Sequence, residues 1–337
     1  MLNNLNFLFM IMLLFSSIFV ISSNNWLASW FGLEINMMAF IPLIYTKKNN
    51  LTNEVLIKYF IIQAIGSSTF LFTNLINSLH LFTWEMSSSS PQGTLLILIP
   101  LMLKLGLAPL QFWFISIIEG LNWFHCFLLL TWQKIGPLFL MFYLHPSLYM
   151  ILFMASLSLI ISPIAIFNQI SLRKIFAYSS INHLSWMLIA SLMSKNMVLF
   201  YFGLYSLMLL PLTYIFSLYH IYFYNNLIHI NSLPLLNFML ISILSLGGLP
   251  PLLGFLPKWI IFEFLLNHNL FSTALLLIFS SLFILFIYFH IIFNAAIAYF
   301  MLNKWLFFLN KNYPINFIFI SLFTILNIFT LLLFNLY

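Results

Sequence analysis

Apolar residues run along this chain in blocks of about twenty. Short polar or turn-forming clusters separate them at Lys47 to Asn53, Ser87 to Gly93, His145-Pro146, Tyr224 to Pro234 and Asn303 to Pro314. A helix needs roughly 20 apolar residues to cross the hydrocarbon of a bilayer, and these blocks are too long and continuous for the alternating strands of an outer-membrane barrel. The pattern predicts an all-α polytopic membrane protein with about eleven spans, near residues 3–22, 25–45, 55–78, 93–118, 122–141, 148–168, 173–190, 197–220, 235–265, 270–295 and 315–336. The first block lacks the basic leader of a secretory signal and the Arg-rich amphipathic character of a mitochondrial presequence, so it reads as the first span.

Two blocks are too long for one straight helix and carry helix-breaking residues. The fourth contains Lys104-Leu105-Gly106-Leu107-Ala108-Pro109, and the ninth contains Gly247-Gly248-Leu249-Pro250-Pro251 followed by Gly254 and Pro257-Lys258. Proline removes a backbone donor and clashes with the preceding turn, so both helices should break within the membrane, where freed backbone must line a cavity or be buried in protein. The breaks fall five spans apart. That spacing predicts a five-helix repeat over 1–141, a second, inverted one over 148–295 and a final helix over 315–336, with an ion site near the membrane midplane. The plainer reading is that Gly and Pro are common in transmembrane helices, but here a lysine abuts each break.

Charge then changes the picture. Only 5% of the 337 residues are Asp, Glu, Lys or Arg, none is aspartate, 64% are hydrophobic and the mean hydropathy is +1.10. If the spans alternate, one side receives Lys47, Lys48, Arg173, Lys174, Lys304 and Lys311 with Lys58 nearby, and the other only Lys195. By the positive-inside rule the N-terminus then faces the matrix or cytoplasm and the C-terminus the opposite side. The net charge of +6 is spread along short loops, which argues against nucleic acid as a partner, although an anionic lipid such as cardiolipin suits Lys47, Lys48, Arg173 and Lys174. The abundance of Phe, Ile, Leu and Asn fits AT-rich coding, as in an organelle genome. Trp26, Trp30, Trp84, Trp123 and Trp305 lie near span ends, where tryptophan anchors helices at the interface.

Four ionisable residues lie well inside stretches otherwise apolar enough to cross a bilayer: Glu34, Lys104, Lys134 and Lys258. Burying a charge at the bilayer centre costs roughly 2.5–3.5 kcal/mol on insertion scales, so such groups mark ion paths or paired sites. An amine that loses its water holds its proton less firmly, and an approaching carboxylate reverses the effect. A Glu34–lysine pair that opens and closes would therefore load and release a proton, with Lys134 and Lys258 extending the relay. A static charge partner that aids packing is the alternative for each. His183, within Ser179-Ser180-Ile181-Asn182-His183, could pass protons in the second repeat or serve as a hydrogen-bonded structural group. His80, His145, His229 and His268 fall in or near loops. No metal-site spacing, phosphate loop, dinucleotide fingerprint or nucleophile elbow is present. Cys126, the single cysteine, excludes an internal disulfide or a cysteine-ligated cluster and reads as a packing residue.

Taken together, Leu33-Glu34-Ile35-Asn36, Lys104 to Pro109, Phe112-Trp113-Phe114, Glu119-Gly120-Leu121, Thr131-Trp132-Gln133-Lys134-Ile135-Gly136-Pro137, Ser179 to Trp186 and Ser245 to Trp259 resemble the antiporter-like subunits of respiratory complex I, specifically the subunit 2 family of animal mitochondria. The resemblance runs from about residue 25 to 265. It implies a proton-translocating subunit of NADH:ubiquinone oxidoreductase in the mitochondrial inner membrane, with Glu34, Lys104, Lys134 and Lys258 as its proton path. It further implies that FMN, iron-sulfur clusters and ubiquinone belong to partner subunits, and that this chain contacts neighbouring antiporter-like and small membrane-arm subunits. Leu110-Gln111 stands where the family commonly has Phe-His, and Ile115 where a proline is frequent, so no histidine is available at position 111. A free-standing cation/proton antiporter and a structural subunit without its own proton path remain open.

Overall fold

The computed structural model describes residues 4–45, 50–81, 86, 91–144, 146–229, 233–250 and 252–303. The span expected over 315–336, together with Lys47, Lys48, Trp84, His145, Trp305, Lys304 and Lys311, lies outside them. Thirteen α-helices and one 3-10 turn account for nearly all described residues. By contact the chain divides after Met154 into two compact units.

The first unit contains α1 (Asn4–Ser22), α2 (Trp26–Ile44), α3 (Asn50–Leu81), α4 (Pro91–Leu105), α5 (Phe112–Gly120), α6 (Trp123–Leu130) and α7 (Trp132–Tyr143), and ends within α8 (Leu148–Ile166). Helix α1 packs on α2, α3 holds α2, α4 and α5, and α7 lies against α1, α2 and α4. The second unit takes up the rest of α8 and contains α9 (Leu172–Ala190), α10 (Lys195–Tyr219), a 3-10 turn (Tyr224–His229), α11 (Leu233–Gly247), α12 (Phe255–Asn267) and α13 (Phe271–Asn303). Seven described helices or helix pairs are long and apolar enough to cross a membrane, and the shorter apolar segments Gly93–Leu105 and Leu235–Gly247 accompany them.

Helix α9 organises the second unit. Every residue from Ile175 to Ala190 is buried, and α10, α12 and α13 all pack on it. A helix covered on all sides can keep polar residues only if its neighbours meet them, and α9 carries Ser179, Ser180, Asn182, His183, Ser185 and Trp186 in its buried length.

Both expected breaks are present and end in the same way. Gly106 has φ +68 and Gly248 φ +79, the left-handed conformation that glycine adopts without steric cost. Gly106 N–H donates to the Leu103 carbonyl and Leu107 N–H to that of Met102, while Gly248 N–H reaches the Ser245 carbonyl and Leu249 N–H that of Leu244. These are two Schellman caps in the same register. They close α4 and α11 and give two carbonyls near the end of each helix a donor.

A third discontinuity, unexpected from the sequence, divides the fifth span at Thr131. Its N–H and its Oγ1 both return to the Phe127 carbonyl, at 3.0 and 2.7 Å, a back-bonding that bends helices. Pro137 then leaves Gln133 without its helical donor. Helix α3 exceeds the expected 55–78 at both ends, and within it Lys58 pairs with Glu54 one turn away. Trp26 and Trp123 stand at helix starts as interfacial anchors would, but both are buried. Trp26 meets Phe70 edge-on at 6.0 Å, so an apolar neighbour, not a headgroup, packs against that indole.

Candidate functional site

The cap on Gly106 fixes where Lys104 points. Lys104 lies in the last turn of α4, where the partial negative charge of the helix end favours a cation. Its stem runs over Gly66 of α3: a Cβ on that glycine would meet Lys104 Cγ at 3.3 Å. Trp113 of α5 donates its indole N–H to the Leu103 carbonyl at 3.0 Å, which ties the helix after the break to the end of the helix before it.

Lys104 and Lys134 line one cavity of about 20 Å³, together with Asn36, Tyr59, Gln63 and Gln133, a volume sufficient for a single water molecule. Gln133 donates to Asn36 Oδ1 at 3.2 Å and accepts from the Tyr59 hydroxyl at 3.5 Å, so the polar wall is itself anchored. Lys134 is 2% exposed, its Nζ has no hydrogen-bond partner, and it stands 4.9 Å from the centre of the Phe114 ring. A buried ammonium held by a ring face alone is poorly solvated.

Glu34 does not join this cavity. It is half-buried on α2, beside the exposed side chains of Phe31, Ile35 and Met38. It interacts with Lys104 electrostatically, whereas Glu54 on α3 pairs directly with Lys58. The structure therefore brings Lys104 and Lys134 together and leaves Glu34 at the side.

Lys258 belongs to the second unit and stands on the other side of its break. Lys104 precedes its capping glycine by two residues, whereas Lys258 follows Gly248 by ten and sits in the first turn of α12, where the helix dipole disfavours a cation. It turns back to donate to the Gly247 carbonyl at 2.8 Å, at the negative end of α11, and lies 5.7 Å from the Trp186 ring. Gly248 makes room for it, since a Cβ there would come within 2.7 Å of Nζ. Gly248→Ala is expected to cost about 1–2 kcal/mol in the left-handed backbone alone and to displace the ammonium. Thermal inactivation of the detergent-solubilised assembly at a lower temperature than wild type would register it.

His183 is 3% exposed, and its Nδ1 lies 2.9 Å from the Tyr201 hydroxyl. Its ring meets that of Tyr205 at 4.9 Å. Cys126 is buried with Sγ near the Ile118 and Leu121 carbonyls, a packing position. No group of three His, Cys, Asp or Glu side chains suited to a metal occurs among the described residues. Sequence reading missed Tyr59, Gln63, Gln133, Tyr201 and Tyr205. Their only signal was a polar atom within an apolar span, which becomes legible only once the neighbouring helix is known.

Two caps of one kind, each with a buried lysine beside it, set the frame for comparison with known proteins. Residues 23–285 match the family model described as NADH:quinone oxidoreductase/Mrp antiporter, TM. NADH-ubiquinone oxidoreductase chain 2 of Anopheles gambiae is 39% identical over 306 residues, covering 89% of each chain. The chain belongs to this family. The Locusta migratoria protein of the same name is 36% identical over 90% of this chain and 89% of its own. Among solved structures, a chain of respiratory complex I from Thermus thermophilus superposes with a TM-score of 0.78 at 20% identity, over 88% of this chain and 71% of that one, a likeness of fold. The expected all-α, antiporter-like architecture is thus the observed one.

Proposed function

We propose that this chain is a membrane-arm subunit of a mitochondrial NADH:ubiquinone oxidoreductase and that it moves protons across the inner membrane through Glu34, Lys104, Lys134, His183 and Lys258. The observation that carries the reading is the cavity between α4 and α7, where two lysine side chains on different helices face one polar space inside an apolar shell. Structural charges in a membrane are normally paired outright; here the lysine nitrogens meet a carbonyl, a ring face and amide-lined space, with Glu34 only in electrostatic reach of Lys104. Such partners hold an amine without fixing its proton.

Moving one charge against the membrane potential costs about 2.3 kcal/mol per 100 mV. A relay of this kind therefore runs uphill only when coupled to redox chemistry, which in this reading takes place at flavin, iron-sulfur clusters and quinone in partner subunits. Two five-helix repeats over 1–141 and 148–295 belong to this proposal, and the last span expected over 315–336 lies outside the described residues. The N-terminus faces the matrix and the C-terminus the intermembrane space, and the basic loop residues suit cardiolipin on the matrix side.

The decisive experiment is purification of the native assembly that carries this chain in mild detergent. Recovery in a many-subunit complex with flavin, iron-sulfur clusters and NADH–quinone activity is the expected result. Recovery alone, or as a small homo-oligomer that exchanges cations for protons in liposomes without NADH, would overturn it in favour of an independent antiporter.

A further inference from the structure

One acidic residue of the second unit has no use in the relay. Elsewhere Glu54 pairs with Lys58, and Glu34 lies in electrostatic reach of Lys104. Glu263 of α12 is exposed and makes no ion pair among the described residues. It stands four residues before the end of α12 at Asn267, about 6 Å along the axis at the helical rise. A carboxylate below a membrane surface is costly unless something meets it.

The helix face around Glu263 is composed for contact. Helix α12 buries Pro257, Lys258, Ile261 and Leu265, and α9, α10 and α13 pack on it. The stripe of Trp259, Glu263 and Leu266, spaced i, i+4 and i+7 as one helix face requires, is turned away from them. Trp259 is 46% exposed and Leu266 38%. Tryptophan on a lipid-facing surface belongs at the headgroup level. Trp259 instead lies in the second turn of a helix that starts at Phe255 just after the break, eight residues or about 12 Å below Asn267. An indole exposed at that depth beside a charge matches the centre of a protein interface, where tryptophan is enriched.

Charge decides what covers this face. A lipid tail carries no cation to meet the carboxylate. The apolar run 315–336 of this chain contains no Lys, Arg or His. A second copy meeting the face about a two-fold axis would set Glu263 against Glu263, a like-charge contact that opposes association. We propose that the face of α12 formed by Trp259, Glu263 and Leu266 docks a membrane helix of a neighbouring subunit, with a lysine or arginine of that helix paired to Glu263; the proposal rests on the membrane-arm reading given above. Lys258 is buried on the other side of the same short helix, so the docked helix also steadies α12 where Lys258 reaches the Gly247 carbonyl.

Two measurements on the native assembly test this. A density map is expected to place a lysine or arginine nitrogen of another subunit within about 4 Å of the Glu263 carboxylate. Lipid or open bilayer over Trp259 and Glu263 would overturn the docking whether or not any variant assembles. Glu263→Lys changes an exposed side chain that the described core does not use, and sets like charges face to face. It is expected to lower the share of this chain recovered in the many-subunit complex by about tenfold, with Glu263→Gln intermediate. Reversing the charge of the facing residue should restore recovery. Wild-type recovery of Glu263→Lys in the complex, or no rescue by the reversed charge, would overturn the pairing. Wild-type chain found outside any many-subunit complex removes the membrane-arm reading instead.

Discussion

Lys104→Met is expected to assemble normally and to lower coupled NADH–quinone turnover by about a hundredfold, the lower end of what a positioned acid–base group contributes. The substitution isolates the amine because methionine reproduces much of the stem that packs over Gly66 while losing the nitrogen that faces the cavity shared with Lys134. A purely structural lysine predicts the reverse. Replacing a buried charge with an apolar residue of similar size is often neutral or stabilising, because the charge no longer has to be taken out of water. Lys104→Arg separates the two roles further: arginine keeps the positive charge and does not release its proton under ordinary conditions. A static charge partner is rescued by arginine, and a proton carrier is not. Assembly judged by native electrophoresis, together with protons counted per electron in vesicles, supplies the readout. Normal pumping in Lys104→Met would falsify the part of the relay that runs through this residue.

The legible features of this chain were those written in backbone chemistry. Gly106 and Gly248 announced their breaks because few other residues take a left-handed cap, and Pro109 and Pro250 stand just beyond them. The lysines were legible because a charge in an apolar run has no ordinary explanation. What the sequence did not disclose depends on which helix comes to lie against which. Thr131 looks like any polar residue in a span until its hydroxyl is seen on the Phe127 carbonyl. Tyr201 and Tyr205 are two of 15 tyrosines in a chain where tyrosine usually marks an interface, and only the burial of α9 on every side distinguishes them. Glu34 shares the rarity of the lysines, but its distance from the cavity was not written in the sequence: its helix turns Leu33, Asn36 and Met37 toward that space and leaves Glu34 half-buried at the flank, in electrostatic reach of Lys104. Similarly, both lysines beside the caps looked equivalent in the sequence. In the structure one ends the helix before its break and the other begins the helix after it, with opposite helix dipoles to meet.

Gly254→Ala is expected to be the most damaging single-methyl change in the second unit, although its backbone gives no warning. Gly254 has φ −69 and ψ −14, a conformation open to any residue, so the need for glycine comes from contact rather than torsion. A Cβ at this position would lie 1.8 Å from the Ser245 carbonyl oxygen and 2.9 Å from its carbon. Both atoms belong to the backbone of α11 and cannot rotate aside. The chain must therefore move where α12 begins, and Lys258, four residues on, moves with it away from the Gly247 carbonyl. Overpacking of a dense interior typically costs about 1–3 kcal/mol and more when backbone is displaced, against a total stability of only about 5–15 kcal/mol. The expected outcome is a sharp fall in assembled subunit on native electrophoresis, with coupled turnover reduced in whatever assembles. Gly203→Ala is the matched control: this glycine lies inside α10 with nothing within 4 Å of a new Cβ, and alanine gains about 0.8–1 kcal/mol of helix propensity there. It should assemble at least as well as wild type. Equal assembly and turnover in the two variants would mean that α12 does not need its close approach to α11, and that the position of Lys258 is set by something other than this contact.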